Sequence, residues 1–286
     1  MSKLIQTSVI LLFIFNLSCL ADDMIKNIDP AADSEMPVTK EILFSNVDRY
    51  VDLEDASISI PNRILYDNGG EYPLRVAGAD YSLPTIEGRY YMGSRGLMCT
   101  CKANTDGLYD RSEIEIKTGL PLNAERKVSF AMYVDGSFVA GNNGPISSNW
   151  LIFSQFWQYS PGMPPIAMEI VPGSTANLKY HLILRNDVTG SVAATAPNPY
   201  PVRFVGNLAR NAWTKFDLHF KASPNGGSFF HLYQNESLVY STYGQIGYST
   251  NVTDRQHLDW RCGIYRTGGV SWPLQHIWFD EMKYGN

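Results

Sequence analysis

The sequence predicts an all-β chain folded as a two-sheet antiparallel sandwich. Three observations lead there. Most of the chain after residue 85 is a succession of segments with strand-like alternation or short apolar runs. Glycine, proline, serine and asparagine separate those segments, as turn residues do. No stretch carries the 3.6-residue apolar periodicity of a long amphipathic helix, and many strands without helices must cover one sheet with another.

In chain order, Lys3 followed by VILLFIFNLSCLA has the charge and apolar core of a secretory signal, with cleavage expected after Ala21. A lipoprotein signal through Cys19 is weighed against it, but Asn16 stands where such a signal prefers leucine. Residues 22–40 are polar, acidic and proline-containing, and read as a flexible leader. The remainder, 41–286, reads as one domain, with no Ser/Gly-rich linker inside it. Residues 41–70 mix short apolar pieces with PN and DNGG turns. EGRYYMGSRGL and CTCKANTDGLYD add more turn residues.

The strand signals then dominate. LYDRSEIEIKTG alternates, so that Arg111, Glu113, Glu115 and Lys117 share one face while Ser112, Ile114 and Ile116 share the other. KVSFAMYVD puts Val128, Phe130, Met132 and Val134 on one face. NWLIFSQFWQYS is nearly continuous apolar but carries Gln155, Trp157 and Gln158. PPIAMEIV, LKYHLILRN, WTKFDLHFKAS, GGSFFHLYQNESLVYS, LDWRCGIYRTG and LQHIWFDEMKYG follow, and SPNGG before Ser228 is a hairpin turn. Nothing repeats at a fixed period, which excludes propellers and solenoids.

The formal charge is −5, and about −6 once Lys3 is removed with the signal (22 basic against 28 acidic residues). That argues against nucleic acid as a partner. No later segment is long and apolar enough to span a bilayer, so the mature chain is expected to leave the cytosol without a membrane anchor, as a monomer. After cleavage Cys99, Cys101 and Cys262 remain. Three is odd, so at most one internal disulfide forms, joining Cys262 to Cys99 or Cys101, and the CTC spacing lacks partners for zinc. Asn235 in NES and Asn251 in NVT are sequons, used only in a eukaryotic secretory pathway.

Several segments together resemble the jelly-roll polysaccharide lyases. They are DRSEIEIK, SQFWQYSPGMPPIAMEI, WTKFDLHFKAS with its following GG, GIYR at 263–266 and IWFDEMKYG. The nearest group is the heparin lyase I and glucuronan lyase group, with alginate lyases as more distant cousins, and the resemblance covers about residues 85–285. It implies a β-jelly roll with a long groove, β-elimination on a uronic-acid polysaccharide, and no metal in the chemistry. Arg111 matches the family's groove arginine and Glu113 follows as expected, but Glu115 stands where a second basic residue is usual and Lys117 comes two later. Gln155 matches the groove glutamine, and Trp157 replaces the histidine many relatives carry. Arg261, Gly263 and Tyr265 stand where the family has Lys, Gly and Tyr, the tyrosine being the proton donor and sometimes also the base. Asp280 matches a position that can help to hold a structural calcium, whose oxygen ligands need not be contiguous.

Elimination beside a uronate needs a neutralised carboxylate, a base for the C5 proton and an acid for the leaving O4. Arginine suits the first role because its fork pairs with a carboxylate and stays charged. Glutamine adds a neutral donor. Tyrosine can serve as acid and base. With Trp157 in the usual histidine position, Tyr265 is the first candidate base, then His181, then His231. Lys179, His181 and Arg185 share a face, a polar stripe suited to an anionic polymer, and Arg261 and Arg266 flank Tyr265 in sequence. Trp157 and Tyr159 are candidate sugar-stacking platforms. His219, His257 and His276 suggest no role. Two other functions compete: a non-catalytic glycan-binding protein, which an aromatic content of 13% would suit, and a glycoside hydrolase using Glu113 and Glu115 as paired carboxylates.

Overall fold

The computed structural model describes residues 47–59, 62–67, 70–77, 84–101, 109–139, 150–158, 163–171, 178–187, 202–267 and 274–286. The expected signal, the leader and Tyr159 lie outside the described residues. In chain order the strands are β1 (Val47–Tyr50), β2 (Ser57–Ser59), β3 (Ile64–Asp67), β4 (Gly70–Ala77), β5 (Thr85–Glu87), β6 (Gly96–Cys101), β7 (Tyr109–Pro121), β8 (Glu125–Val134), β9 (Leu151–Trp157), β10 (Ile166–Ile170), β11 (Leu178–Leu184), β12 (Val202–Leu208), β13 (Ala212–Lys221), β14 (Ser228–Gln234), β15 (Ser237–Gly244), β16 (His257–Thr267) and β17 (Gln275–Gly285).

These strands form two antiparallel sheets. One runs β15-β14-β13-β8-β17-β6-β5, with β1 added beside β17. The other runs β12-β11-β10-β9-β16-β7-β4-β3-β2. The predicted all-β jelly-roll sandwich is what the chain adopts. The strands β1 to β5 were not legible in the sequence. β1, β2, β3 and β5 are only three or four residues long, and Pro73 interrupts the alternation of β4.

The two sheets close on an aromatic core. Phe130 of β8 lies 5.3 Å from Phe216, 6.4 Å from Phe153, 6.2 Å from Trp260 and 6.3 Å from Phe279, measured between ring centroids. It therefore ties its own sheet neighbours β13 and β17 to β9 and β16 opposite. Ile114, Ile116, Met168, Ile170, Tyr180, Leu182, Cys262 and Ile264 enter the same core from the nine-stranded sheet. Every second residue of these strands consequently points away from the core. The SPNGG turn forms as expected, with Gly226 and Gly227 at φ of 100° and 71° joining β13 to β14. Cys99, Cys101 and Cys262 are buried free thiols, so the disulfide considered for Cys262 is not present. Both sequon asparagines are exposed.

Candidate active site

The outward face of the nine-stranded sheet carries a charged cluster at its centre. β16 is the fifth of the nine strands, flanked by β7 and β9. Strand register aligns Arg111 with Tyr265 and Ile152, Glu113 with Gly263, and Glu115 with Arg261 and Gln155. A bulge between Cys262 and Tyr265 sets this alignment. Gly263 sits in it at φ 147°, where a Cβ would lie 2.3 Å from the Ser112 carbonyl oxygen and 2.5 Å from Glu113 Cα. Only glycine lets β16 approach β7 this closely.

Glu113 is the hub. It is fully buried. Its Oε1 accepts from Gln155 Nε2 at 2.6 Å, and its Oε2 lies 3.0 Å from Arg111 Nε. The Arg111 guanidinium carbon in turn lies 4.0 Å from the centroid of the Tyr265 ring. Trp150 closes on that ring edge-to-face at 4.5 Å. Arg111 and Gln155 thus meet at one carboxyl group, and Arg111 links that carboxyl group to Tyr265 on a third strand. Burial pushes the Glu113 carboxyl up, against the opposing charges of Arg111 and Arg261 and the Gln155 hydrogen bond.

Glu115 has the opposite environment. Arg261 donates to its Oε2 through Nε at 2.7 Å, and Arg75 grips both oxygens at 3.1 and 2.9 Å. Burial pushes this carboxyl up, but the hydrogen bonds and charges of Arg75 and Arg261 outweigh it and hold it below the ordinary glutamate range. Both Glu115 oxygens are already engaged by guanidinium N–H groups, which makes it a poor nucleophile. Glu113 and Glu115 also lie two residues apart on one strand and not across a cleft. The pair therefore does not make a hydrolase site.

Trp157 lies on the same face, partly exposed, with the Arg261 guanidinium carbon 5.9 Å from its ring centroid. Other candidates are placed elsewhere. Lys117 leaves the row: a register shift pairs it with the core-facing Trp260, and its Nζ lies 5.5 Å from the Tyr284 ring of the opposite sheet. Arg266 points to the other side of β16, fully buried, and pairs with Asp110 at 2.9 Å and Gln275 at 2.7 Å. It is a structural ion pair and not a substrate contact. Arg185 is buried and donates to the Pro164 carbonyl at 2.7 Å. Lys179 is exposed at the start of β11. His181 shares the outward face, but β10 and β9 separate it from β16, three strand spacings or roughly 14 Å. That is too far for it to act as base at a sugar held by Tyr265. His231 belongs to β14 in the other sheet, where Nδ1 meets Ser241 Oγ at 3.0 Å. Asp280 accepts backbone N–H groups from Tyr91 and Met92 on Oδ2 and from Glu281 on Oδ1. Three N–H donors aimed at one carboxylate disfavour a cation there, so Asp280 is better read as the anchor of the loop before β6. Among the described residues no group of three or more His, Cys, Asp or Glu is arranged to hold a metal ion.

Three residues at this face were missed in the sequence. Arg75 lies on the unrecognised β4. Trp150 immediately precedes β9. Glu169, between Met168 and Ile170, had a visible signal, since a lone acid inside IAMEIV can only be buried or face a site.

Residues 68–283 match the family model described as polysaccharide lyase. Among solved structures, an endo-β-1,4-glucuronan lyase from the fungus Trichoderma reesei is 17% identical with a TM-score of 0.53, over 74% of this chain and 90% of that one. A marine alginate lyase from Zobellia galactanivorans is 11% identical with a TM-score of 0.46, over 71% and 82% of the two chains. No curated protein sequence matches the chain.

Proposed function

The chain belongs to the polysaccharide lyase family, and from that premise we propose that it is a secreted, endo-acting lyase that cleaves a uronic-acid polysaccharide by β-elimination. The observation that carries this reading is the linked cluster in which Glu113 holds Arg111 and Gln155 and Arg111 stacks on Tyr265. Arg75, Arg111 and Arg261 against Glu113 and Glu115 leave one net positive charge on the patch (three minus two). It becomes more positive when Glu113 holds its proton. Such a patch attracts a sugar carboxylate despite the acidic chain.

In the proposed reaction the uronate carboxylate lies against Arg111 and the remaining Gln155 amide N–H. Their charge and dipole stabilise the electron density that moves onto that carboxylate as C5 loses its proton, commonly the largest catalytic contribution. Tyr265, as phenolate, takes the C5 proton and, as the phenol so formed, returns a proton to O4. The C5–H electron pair forms the C4–C5 double bond as the C4–O4 bond breaks. The Arg111 guanidinium over the Tyr265 ring stabilises the phenolate that exists before the first transfer and after the second. Glu113 holds Arg111 and Gln155 in place. Trp157 offers an apolar ring to a sugar face.

Internal cleavage fits the position of the site. A polymer laid across the strands at β16 has four strands on each side of the reacting unit. Secretion rests on the N-terminal signal pattern. The test is to incubate purified protein with a panel of uronans. Products with a new C4–C5 double bond, seen by ultraviolet absorbance, and an early fall in polymer length are expected. Binding without such products would instead support a glycan-binding role.

A further inference from the structure

A phenol that moves two protons has to keep its oxygen in one place. The Tyr265 hydroxyl sits at the far end of its ring, so a small turn about the first side-chain torsion carries it well away from C5 and O4. A misplacement of about 1 Å can cost about a hundredfold in rate. What holds the ring therefore bears directly on the reaction.

Tyr265 is held from three sides. The Arg111 guanidinium carbon lies 4.0 Å from its ring centroid. Ile152, its partner across the β9–β16 pairing, forms an apolar cluster with Ala167 and Ile183, outside the sandwich core, and the Tyr265 ring packs on it. Trp150 supplies the third side, with ring centroids 4.5 Å apart and planes at 69°. The first two contacts leave the ring free to slide. Attraction to a cation acts over the whole ring face, and apolar burial has no direction. An edge-to-face aromatic pair is directional, because the positive edge of one ring meets the negative face of the other.

Trp150 is itself set by β16, the strand that carries Tyr265. Its N–H donates to Thr267 Oγ1 at 3.0 Å, and the Thr267 N–H donates to the Trp150 carbonyl at 3.1 Å. Thr267 stands two residues after Tyr265, and Trp150 two before Ile152. The bracket thus carries the β9–β16 pairing past Leu151 and Arg266 and makes Trp150 the diagonal neighbour of Tyr265, within reach of an aromatic side chain. The indole cannot take the C5 proton, since its N–H only donates.

We infer that Trp150 is a positioning residue for the elimination: its ring, set by the Thr267 bracket, fixes the Tyr265 phenol against Arg111 so that one oxygen serves C5 and then O4. The inference rests on the elimination reading above.

The experiment measures kcat and KM from the unsaturated-product signal on glucuronan, alginate and heparin. Trp150→Ala should lower kcat by about 10–100-fold with KM little changed. Trp150→Phe, which keeps a ring for the contact, should restore most of the loss. In a Tyr265→Phe background, Trp150→Ala should lower the residual kcat no further, because the hydroxyl it positions is gone. An unchanged kcat in Trp150→Ala overturns the assignment and leaves elimination intact. An equal fractional loss in both backgrounds also overturns it, as does a raised KM with kcat kept, which would make Trp150 a sugar contact. If Trp150→Ala does not fold, Trp150→Leu keeps apolar bulk without the ring and is read by the same criteria. No unsaturated product from wild type on any of the three polymers sinks the elimination reading, and this role with it.

Discussion

Arg111 and Tyr265 face each other across the β7–β16 pairing, the guanidinium carbon 4.0 Å from the phenol ring centroid. The contact joins the group suited to holding a sugar carboxylate to the group suited to moving protons. Tyr265→Phe keeps the ring, its contact with Arg111 and its packing on Trp150, and removes only the hydroxyl. The prediction is a fall in kcat of about 10²–10⁴, the range for losing a positioned acid–base group. The melting temperature should be unchanged. Steady-state assay with a thermal melt checks both, and a fully active variant would remove the phenol from the mechanism.

Glu113 stands beneath that pair, and its role is to position Arg111 and Gln155. Glu113→Ala leaves Arg111 without its ion-pair partner and the buried Gln155 amide without its acceptor, the latter at about 1–3 kcal/mol. Glu113→Gln keeps size and an acceptor oxygen. The expected order of activity is wild type, then Gln, then Ala, with KM for an anionic polymer rising less than kcat falls. A Glu113→Ala variant as active and as stable as wild type would show that Arg111 is held by other contacts.

What the sequence revealed of this site follows from strand periodicity. Arg111, Glu113 and Glu115 could be placed on one face because β7 alternates cleanly through Ile114. The same reasoning misplaced Lys117, and charge misplaced Arg266. Lys117 lies beyond a register shift in β7–β16 pairing, and shifts of this kind depend on the partner strand. Arg266 follows Tyr265 directly, so alternation alone puts it on the opposite face. It was grouped with the site on charge, whereas Asp110 and Gln275 bury it. His181 was placed on the correct face, but its separation from Tyr265 depends on strand order. That order inserts β9 and β10 between them, and no local pattern encodes it. Arg75 was hidden because Pro73 interrupts the alternation of β4.

Glu169 makes a prediction about pH. Its folded carboxyl is raised to about 7 by burial, above an unfolded glutamate near 4.3. Over that interval the folded state holds a proton that the unfolded state has lost, so stability falls as pH rises from about 4 to about 7 and is level above. The full difference is on the order of 3 kcal/mol. Glu169→Gln removes it. Thermal melts of the two proteins from pH 5 to pH 8 should show the variant gaining on wild type as pH rises. Parallel curves would mean that Glu169 is ionised throughout, with a cation beside it.

Gly263 links backbone geometry to the site. At φ 147° it lies where side chains are strained, and a Cβ would press on Ser112 and Glu113 backbone atoms that cannot rotate away. Gly263→Ala must therefore push β16 from β7. Strain of about 1–3 kcal/mol from the dihedral and a similar amount from overpacking are expected, enough to lower the denaturation midpoint measurably. Widening that pairing also separates Tyr265 from Arg111 and Arg261 from Glu115, since all four depend on the same register. Activity should consequently fall even at temperatures where the variant remains folded. A core variant of similar instability away from the site, such as Phe130→Leu, should keep its kcat under the same conditions. Equal losses of kcat in the two would assign the effect of Gly263 to stability alone.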